Sequence, residues 1–304
     1  DVNTRTAFTA ALAGMYFGDG QDKKAILLYT HLIKEEKCSA EIPFYQGRVV
    51  DCGSRVGNKR YTVQQVRKLV SLFKEVKKCL ANPSEKEKQR IREARELAEV
   101  TLRKLASTWY KEAKETKQKE TFAYAQEMFG DYLELFPESK DAYDMRFAYA
   151  ELLFHRLSRY ERAASEYSKV VAHDLAWLKK HKRFPTKKKD KKGRSAPGTY
   201  LCDAAYKAVL AHRELMKKDR KRGRGRKGKD KDKDKDPLAK KVIPRGKRRF
   251  IKAAEIYLDH CPKDQDLCSV KFDIAKTYYD YQHYDVAVRR FDEVVGQCTG
   301  EDLA

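Results

Sequence analysis

The feature that most constrains the fold is a set of small, aromatic and aliphatic residues that recurs at helical spacing. In the stretch FDIAKTYYDYQHYDVAVRRFDEVV, Ala275 and Tyr278 are three residues apart, and Ala287, Phe291 and Val294 follow at spacings of four and three. Each group falls on one face of an α-helix. Small residues allow two helices to approach closely, and aromatic residues fill the space beside them. The pattern therefore predicts a helical hairpin.

A second copy of this pattern lies 125 residues upstream. Residues 132–137 (YLELFP) align with 257–262 (YLDHCP), and the same offset places Phe147 on Phe272. The second copy repeats the small, aromatic and aliphatic triplet as Ala163, Tyr167 and Val170. An internal self-match over this distance is typical of repeat architectures.

The offset is not constant along the chain, and this locates an insertion. Leu105 and Tyr110 align with Leu201 and Tyr206 at an offset of only 96. About 29 residues are therefore inserted in the later copy, between its two helices, and the basic stretch 217–247 accounts for them. We predict basic loop insertions at 179–196 and 217–247.

Nearly all of the net charge lies in one part of the chain. Residues 179–249 hold 30 basic and 8 acidic residues, a net charge of +22, which equals that of the whole chain. The rest of the chain is neutral, so the high pI does not describe the repeat body. The run 217–236 lacks apolar periodicity, and we expect a mobile loop there because it cannot bury enough apolar surface to offset its ordering entropy.

The helical hairpins resemble those of the tetratricopeptide repeat (TPR) family. The resemblance implies an all-α, TPR-like α-solenoid of about six helical hairpins, forming a single array over residues 1–304 as a fragment of a longer protein. It also implies a concave face, lined by the first helix of each pair, that holds an extended or helical segment of a protein partner. The motifs at 42–47 (IPFYQG) and 272–279 (FDIAKTYY) further resemble those of very long myxobacterial TPR proteins, some of them associated with gliding motility.

The sequence offers no recognisable catalytic, cofactor or metal motif. The seven His fit no HExxH pattern and the seven Cys form no CxxC pair, so no catalytic residue, cofactor or metal is predicted and no enzyme is expected. We expect the cysteines to be buried thiols. Cys38 with Cys52, or Cys261 with Cys268, could instead pair across a helix–helix turn.

The predicted function is a non-enzymatic protein-interaction scaffold within a bacterial envelope complex, such as gliding-motility machinery. The periplasm or cell envelope is favoured over the cytoplasm. The basic loop could bind an acidic protein or an anionic surface, and the alternative function is RNA or DNA binding through that loop. The predicted partner-binding residues lie on the concave face and in the basic run: Arg146, Tyr149, Lys276, Asp280, Arg220, Arg222, Arg224, Arg226, Lys227 and Lys229.

Overall fold

The computed structural model describes residues 2–36, 38–223 and 238–298. The chain divides into two compact units, Asp1–Met145 and Arg146–Ala304. The single array predicted across residues 1–304 therefore stays a prediction.

Twelve helices and no strand occur within these described ranges, which confirms the expected all-α, TPR-like fold. The helices are α1 (Val2–Gly18), α2 (Asp22–Glu35), α3 (Ile42–Val56), α4 (Lys59–Cys79), α5 (Glu85–Thr116), α6 (Lys119–Leu135), α7 (Ala142–His155), α8 (Tyr160–His181), α9 (Leu201–Gly223), α10 (Arg245–His260), α11 (Leu267–Asp280) and α12 (Tyr284–Gln297).

The first unit contains α1 to α6 and packs successive helices in antiparallel pairs. Tyr29 of α2 stacks on Tyr45 of α3, with ring centroids 5.7 Å apart. The longest helix, α5, begins at a capping box in which the Ser84 side chain accepts from the backbone N–H of Glu87. This reciprocal pair satisfies backbone donors that a helix start otherwise leaves without partners.

The second unit continues from Arg146 within α7 and holds both copies of the triplet. Ala163, Tyr167 and Val170 of α8 are buried, as are Ala287 and Val294 of α12. The hairpin α11–α12 is antiparallel, because Phe272 near the start of α11 contacts Phe291 in the second half of α12. The residues that predicted the repeat therefore form the layers between adjacent helices.

Three disulfides replace most of the expected buried thiols. They join Cys38 to Cys79, Cys202 to Cys261 and Cys268 to Cys298, with Cα atoms 5.6–6.0 Å apart. The pairings considered from the sequence, Cys38 with Cys52 and Cys261 with Cys268, are therefore wrong. Two of the bridges, Cys202–Cys261 and Cys268–Cys298, join the first turn of one helix to the residue just after the end of the next. The third joins Cys38, in the connection between α2 and α3, to the last residue of α4. All three Cα separations suit a disulfide.

Cys52 remains a free thiol in the core of the first unit. Burial raises the pKa of this thiol to about 12, and hydrogen bonding with the Asp22 carboxylate adds to the effect. The expectation of a buried thiol is thus correct for this cysteine, which stays protonated and unreactive at neutral pH.

The basic segments are more ordered than the sequence suggests. Residues 179–181 complete α8, and an isolated antiparallel bridge joins Lys189 to Ser195 in the connection that follows. The buried Asp174 carboxylate accepts from the backbone N–H of Gly198 at 2.8 Å, which anchors this connection to α8. Residues 217–223 are not a loop, because they form the last turns of α9, and residues 245–247 begin α10.

Candidate functional site

A groove of about 1050 Å³ opens between α8, α9 and α10 of the second unit. Its walls come from the start of α8, the second half of α9 and the middle of α10. We call it the basic groove, because five basic residues and one acidic residue line it within the described part of the chain. The basic residues are Arg159, Arg162, Lys218, Arg249 and Lys252, and the acidic residue is Glu161.

The length of α9 creates one wall of this groove. α9 has 23 residues, and its last turns pass beside the start of α8. There the ammonium of Lys218 donates to the carbonyl oxygen of Ser158 at 3.1 Å and lies 4.4 Å from the centroid of the Tyr160 ring. Lys218 therefore ties α9 to the α7–α8 turn and covers an aromatic ring with positive charge.

An ion pair links the other two walls. The Arg249 guanidinium of α10 lies 3.2 Å from the Glu161 carboxylate of α8. Both side chains are exposed, so the pair contributes little to stability. Its geometry shows that a carboxylate fits at this position of the groove. Between the charged rims, Ala164, Leu215 and Ile256 are among the apolar residues that line it.

His212 of α9 also lines the groove and is partly buried there. Burial lowers the pKa of its imidazole, and the neighbouring Arg249 guanidinium lowers it further, while Glu161 acts in the opposite direction. The imidazole is therefore neutral at pH 7, and the groove carries the five positive charges and the one negative charge named above.

A smaller groove of about 240 Å³ lies between α9, α10 and α11. Two predicted partner-binding residues, Lys276 and Asp280, line it and are exposed. Arg213 of α9 forms an ion pair with Asp273 of α11 at 2.6 Å along the same groove. The structure therefore brings two of the predicted residues together in a groove of mixed charge.

The other two residues predicted for the concave face have different surroundings. Tyr149 is buried, with 1% of its surface exposed, and the Arg162 guanidinium lies 5.3 Å from its ring centroid. Arg146 forms an ion pair with the buried Glu166 at 2.7 Å and exposes 18% of its side chain. Tyr149 thus has almost no surface to offer a partner, and Arg146 has little.

The residues predicted in the basic run lie at the limit of the described chain. Arg220 and Arg222 belong to the last turns of α9, and the structure does not describe their side chains. The others lie outside the described residues: Arg224, Arg226, Lys227 and Lys229. All of these stay predictions as binding residues.

Sequence reasoning missed the residues of the basic groove. The available signal was the repeated spacing of three between basic residues, at Arg159 and Arg162 on one helix start and at Arg249 and Lys252 on another. Such pairs occupy one helix face. Only the packing of both α8 and α10 against α9 shows that the two faces line the same groove.

Neither a metal site nor a membrane-spanning helix occurs in the described part of the chain. This part contains no group of three or more His, Cys, Asp and Glu that could hold a metal ion. Within the same ranges, every helix is too short or too polar to cross a membrane.

Comparison with known proteins finds similarity to solved structures only. No family model matches the chain, and neither does any curated protein. The C-terminal part of a TPR repeat-containing protein from Cytophaga hutchinsonii is 13% identical, with 96% of this chain and 97% of that chain covered and a TM-score of 0.36. A tetratricopeptide repeat protein from Parabacteroides merdae is 12% identical, with 98% and 82% covered and a TM-score of 0.31. The TPR2AB domain of yeast Sti1, in a complex with pHSP90, is 13% identical, with 96% and 90% covered and a TM-score of 0.26. At these scores the likeness carries no functional argument.

Proposed function

We propose that this protein is a non-enzymatic scaffold that binds other proteins outside the reducing cytoplasm, in a compartment such as the bacterial cell envelope. The observation that carries the proposal is the pair of open, charged grooves that adjacent helices form in the second unit. Grooves between stacked helices, with apolar walls and charged rims, suit segments of polypeptide.

The disulfides support the choice of compartment. Six of the seven cysteines form three bridges, and each bridge closes a loop of 30 to 59 residues. Such bonds persist in secreted, periplasmic and other oxidising environments and are rare in the cytosol. A narrower proposal, a component of gliding-motility machinery, is supported only by the motif resemblance at 42–47 and 272–279.

The scaffold proposal is tested by affinity capture from the envelope fraction of the native organism, with the full chain immobilised. The comparison variant exchanges two charges of the smaller groove, Lys276→Glu with Asp280→Lys, so that its net charge is unchanged. We expect discrete proteins that the native chain retains and the exchanged variant loses. Identical retention by both chains and by the heat-unfolded chain would count against a scaffold.

The compartment is tested by labelling thiols with a polymer-linked maleimide in intact cells, after rapid acid quenching and denaturation. We expect one reactive cysteine, Cys52, because the other six are oxidised. Seven reactive cysteines would place the protein in a reducing compartment and remove this part of the proposal.

A further inference from the structure

We infer that the basic groove between α8, α9 and α10 is the docking site for an acidic polypeptide segment, one in which Asp or Glu alternates with apolar residues. The inference rests on the proposed scaffold function and names the partner class for one of its surfaces. The groove differs from the predicted concave face, because α8 and α10, the second helices of their pairs, supply most of its basic residues.

The excess of positive charge in the basic groove favours an acidic partner. Three helices converge to bring five cationic groups around one opening, and Glu161 is the one carboxylate among the described residues that line it. Like charges held together repel one another unless an anion lies between them, and their combined field attracts a negatively charged partner. Lys218 falls within the run 217–236, where it belongs to α9, and the other four basic residues lie outside that run.

The carboxylate of Glu161 shows how an acidic side chain of a partner could be held in the groove. Glu161 accepts from the Arg249 guanidinium at 3.2 Å on the exposed rim. An incoming Asp or Glu side chain can form the same contact, and Glu161 competes with it. Charge-assisted hydrogen bonds from guanidinium to carboxylate are among the stronger polar contacts in proteins.

The dimensions and the lining residues of the basic groove suit a short polypeptide segment. The groove-lining face of α8 from Tyr160 to Ser168 rises about 12 Å, which equals about four residues of extended chain. The volume of about 1050 Å³ is at the upper limit of the roughly 300–1,000 Å³ of small-molecule sites. Apolar residues between the charged rims, such as Leu215 and Ile256, suit the apolar side chains of such a segment.

The lining also favours a polypeptide over a nucleic acid. Among the described residues that line the groove, Tyr160 is the one with a Phe, Tyr or Trp ring, and the Lys218 ammonium covers that ring. Single-stranded nucleic acids are held by exposed aromatic faces on which successive bases stack. The groove offers charge and aliphatic surface without such a platform.

The test measures fluorescence anisotropy of the full chain with two labelled octapeptides, one alternating Asp and Leu and one alternating Asn and Leu. We expect the acidic peptide to bind at least roughly ten times more tightly, and its affinity to fall with salt. Arg162→Glu with Lys252→Glu should weaken it by roughly tenfold or more, because two attractive contacts become repulsive.

The matched control is Lys179→Glu with Lys180→Glu. This variant changes the net charge by the same amount as the groove variant. Its two lysines lie on α8, as Arg162 does, but they do not line the groove. We expect little change in affinity. A second, opposite test is Glu161→Gln, which removes the competing carboxylate and should tighten binding a few-fold. Helical content measured by circular dichroism confirms that each variant is folded.

Three results would overturn the inference. They are equal binding of both peptides, equal weakening by the groove and control variants, or tighter binding of a single-stranded RNA that the groove variant loses. The last result would assign the groove to nucleic acid. If the acidic peptide fails but capture still depends on Lys276 and Asp280, the scaffold function stands and only this inference falls.

Discussion

Asp131 provides the sharpest test of the energetics, because one oxygen of its partly buried carboxylate has no hydrogen-bond partner among the described residues. It lies on α6, where that helix packs on α4. Glu127 and Glu134 of α6 pair with Arg67 and Lys74 of α4, at 2.7 and 3.2 Å. The Oδ2 atom of Asp131, between these two ion pairs, is buried and has no hydrogen-bond partner among the described residues. We predict that Asp131→Asn stabilises the first unit at neutral pH.

The expected gain in stability of Asp131→Asn follows from the raised pKa of the Asp131 carboxyl group. Burial raises the pKa of the Asp131 carboxyl from 3.8 to about 6, with the Arg67 guanidinium opposing it and the two glutamates adding to it. A shift of that size corresponds to at most about 3 kcal/mol of cost for holding the group ionised. Because the group retains contact with solvent, we expect about 1–2 kcal/mol.

The direction of the effect can be checked from how the free energy of unfolding depends on pH. The folded pKa lies above the unfolded value, so the folded state binds the proton more tightly. The native protein therefore gains stability as the pH falls from above 6 towards 4, whereas Asp131→Asn does not. The difference between them should be largest near pH 7.5 and should vanish near pH 4.

The assay is urea unfolding of the full chain, followed by tryptophan fluorescence in a Trp177→Phe background. Trp109 then reports on the first unit, where it is buried. The matched control is Asp19→Asn, which removes an exposed carboxylate from the same unit. Equal midpoints for Asp131→Asn and its parent at pH 7.5, or destabilisation that persists at every pH, would refute the reasoning.

Two further predictions concern the second unit. Replacing Cys202 and Cys261 together by Ser opens a loop of 59 residues and should lower the free energy of unfolding by about 4 kcal/mol. Thermal unfolding should then show a lower midpoint, and an unchanged midpoint would contradict this prediction. Burial and the Arg249 guanidinium lower the pKa of the His212 imidazole, and Glu161 acts in the opposite direction. The carboxylates of a bound acidic peptide should raise that pKa again. Affinity for the acidic octapeptide should therefore increase a few-fold between pH 7.5 and 6, and His212→Gln should lose that increase while keeping the affinity at pH 7.5.

The hairpins were predictable because their signal is local. Ala163 and Tyr167 fall on one helix face by spacing alone, and that face becomes buried whichever neighbour covers it. The start of α5 was predictable for the same reason, since Ser84 and Glu87 form their capping box within one turn. Each of these inferences needs only the period of a helix and a few adjacent residues.

The disulfides and the surface sites depend on distances between remote residues. Cys202 and Cys261 are 59 positions apart, and only the antiparallel packing of α9 on α10 brings their Cα atoms to 5.6 Å. The same limit affects Tyr149. Its position on the first helix of a pair suggested exposure, but the Arg162 side chain from the next helix covers its ring. Sequence spacing places a residue on a face and does not show what lies against that face.

The division between the basic run and the basic groove changes how the charge of this chain is interpreted. The sequence concentrates its positive charge in residues 179–249 and suggests that a loop carries the binding. The structure uses Lys218 and Arg249 from that region as parts of helices. From outside the region it adds Arg159, Arg162 and Lys252. Positive charge fixed on packed helices is already held in place, so little conformational entropy is lost when a partner binds. The groove therefore has the greater potential for specific recognition, whatever the rest of the basic run contributes to attraction at longer range.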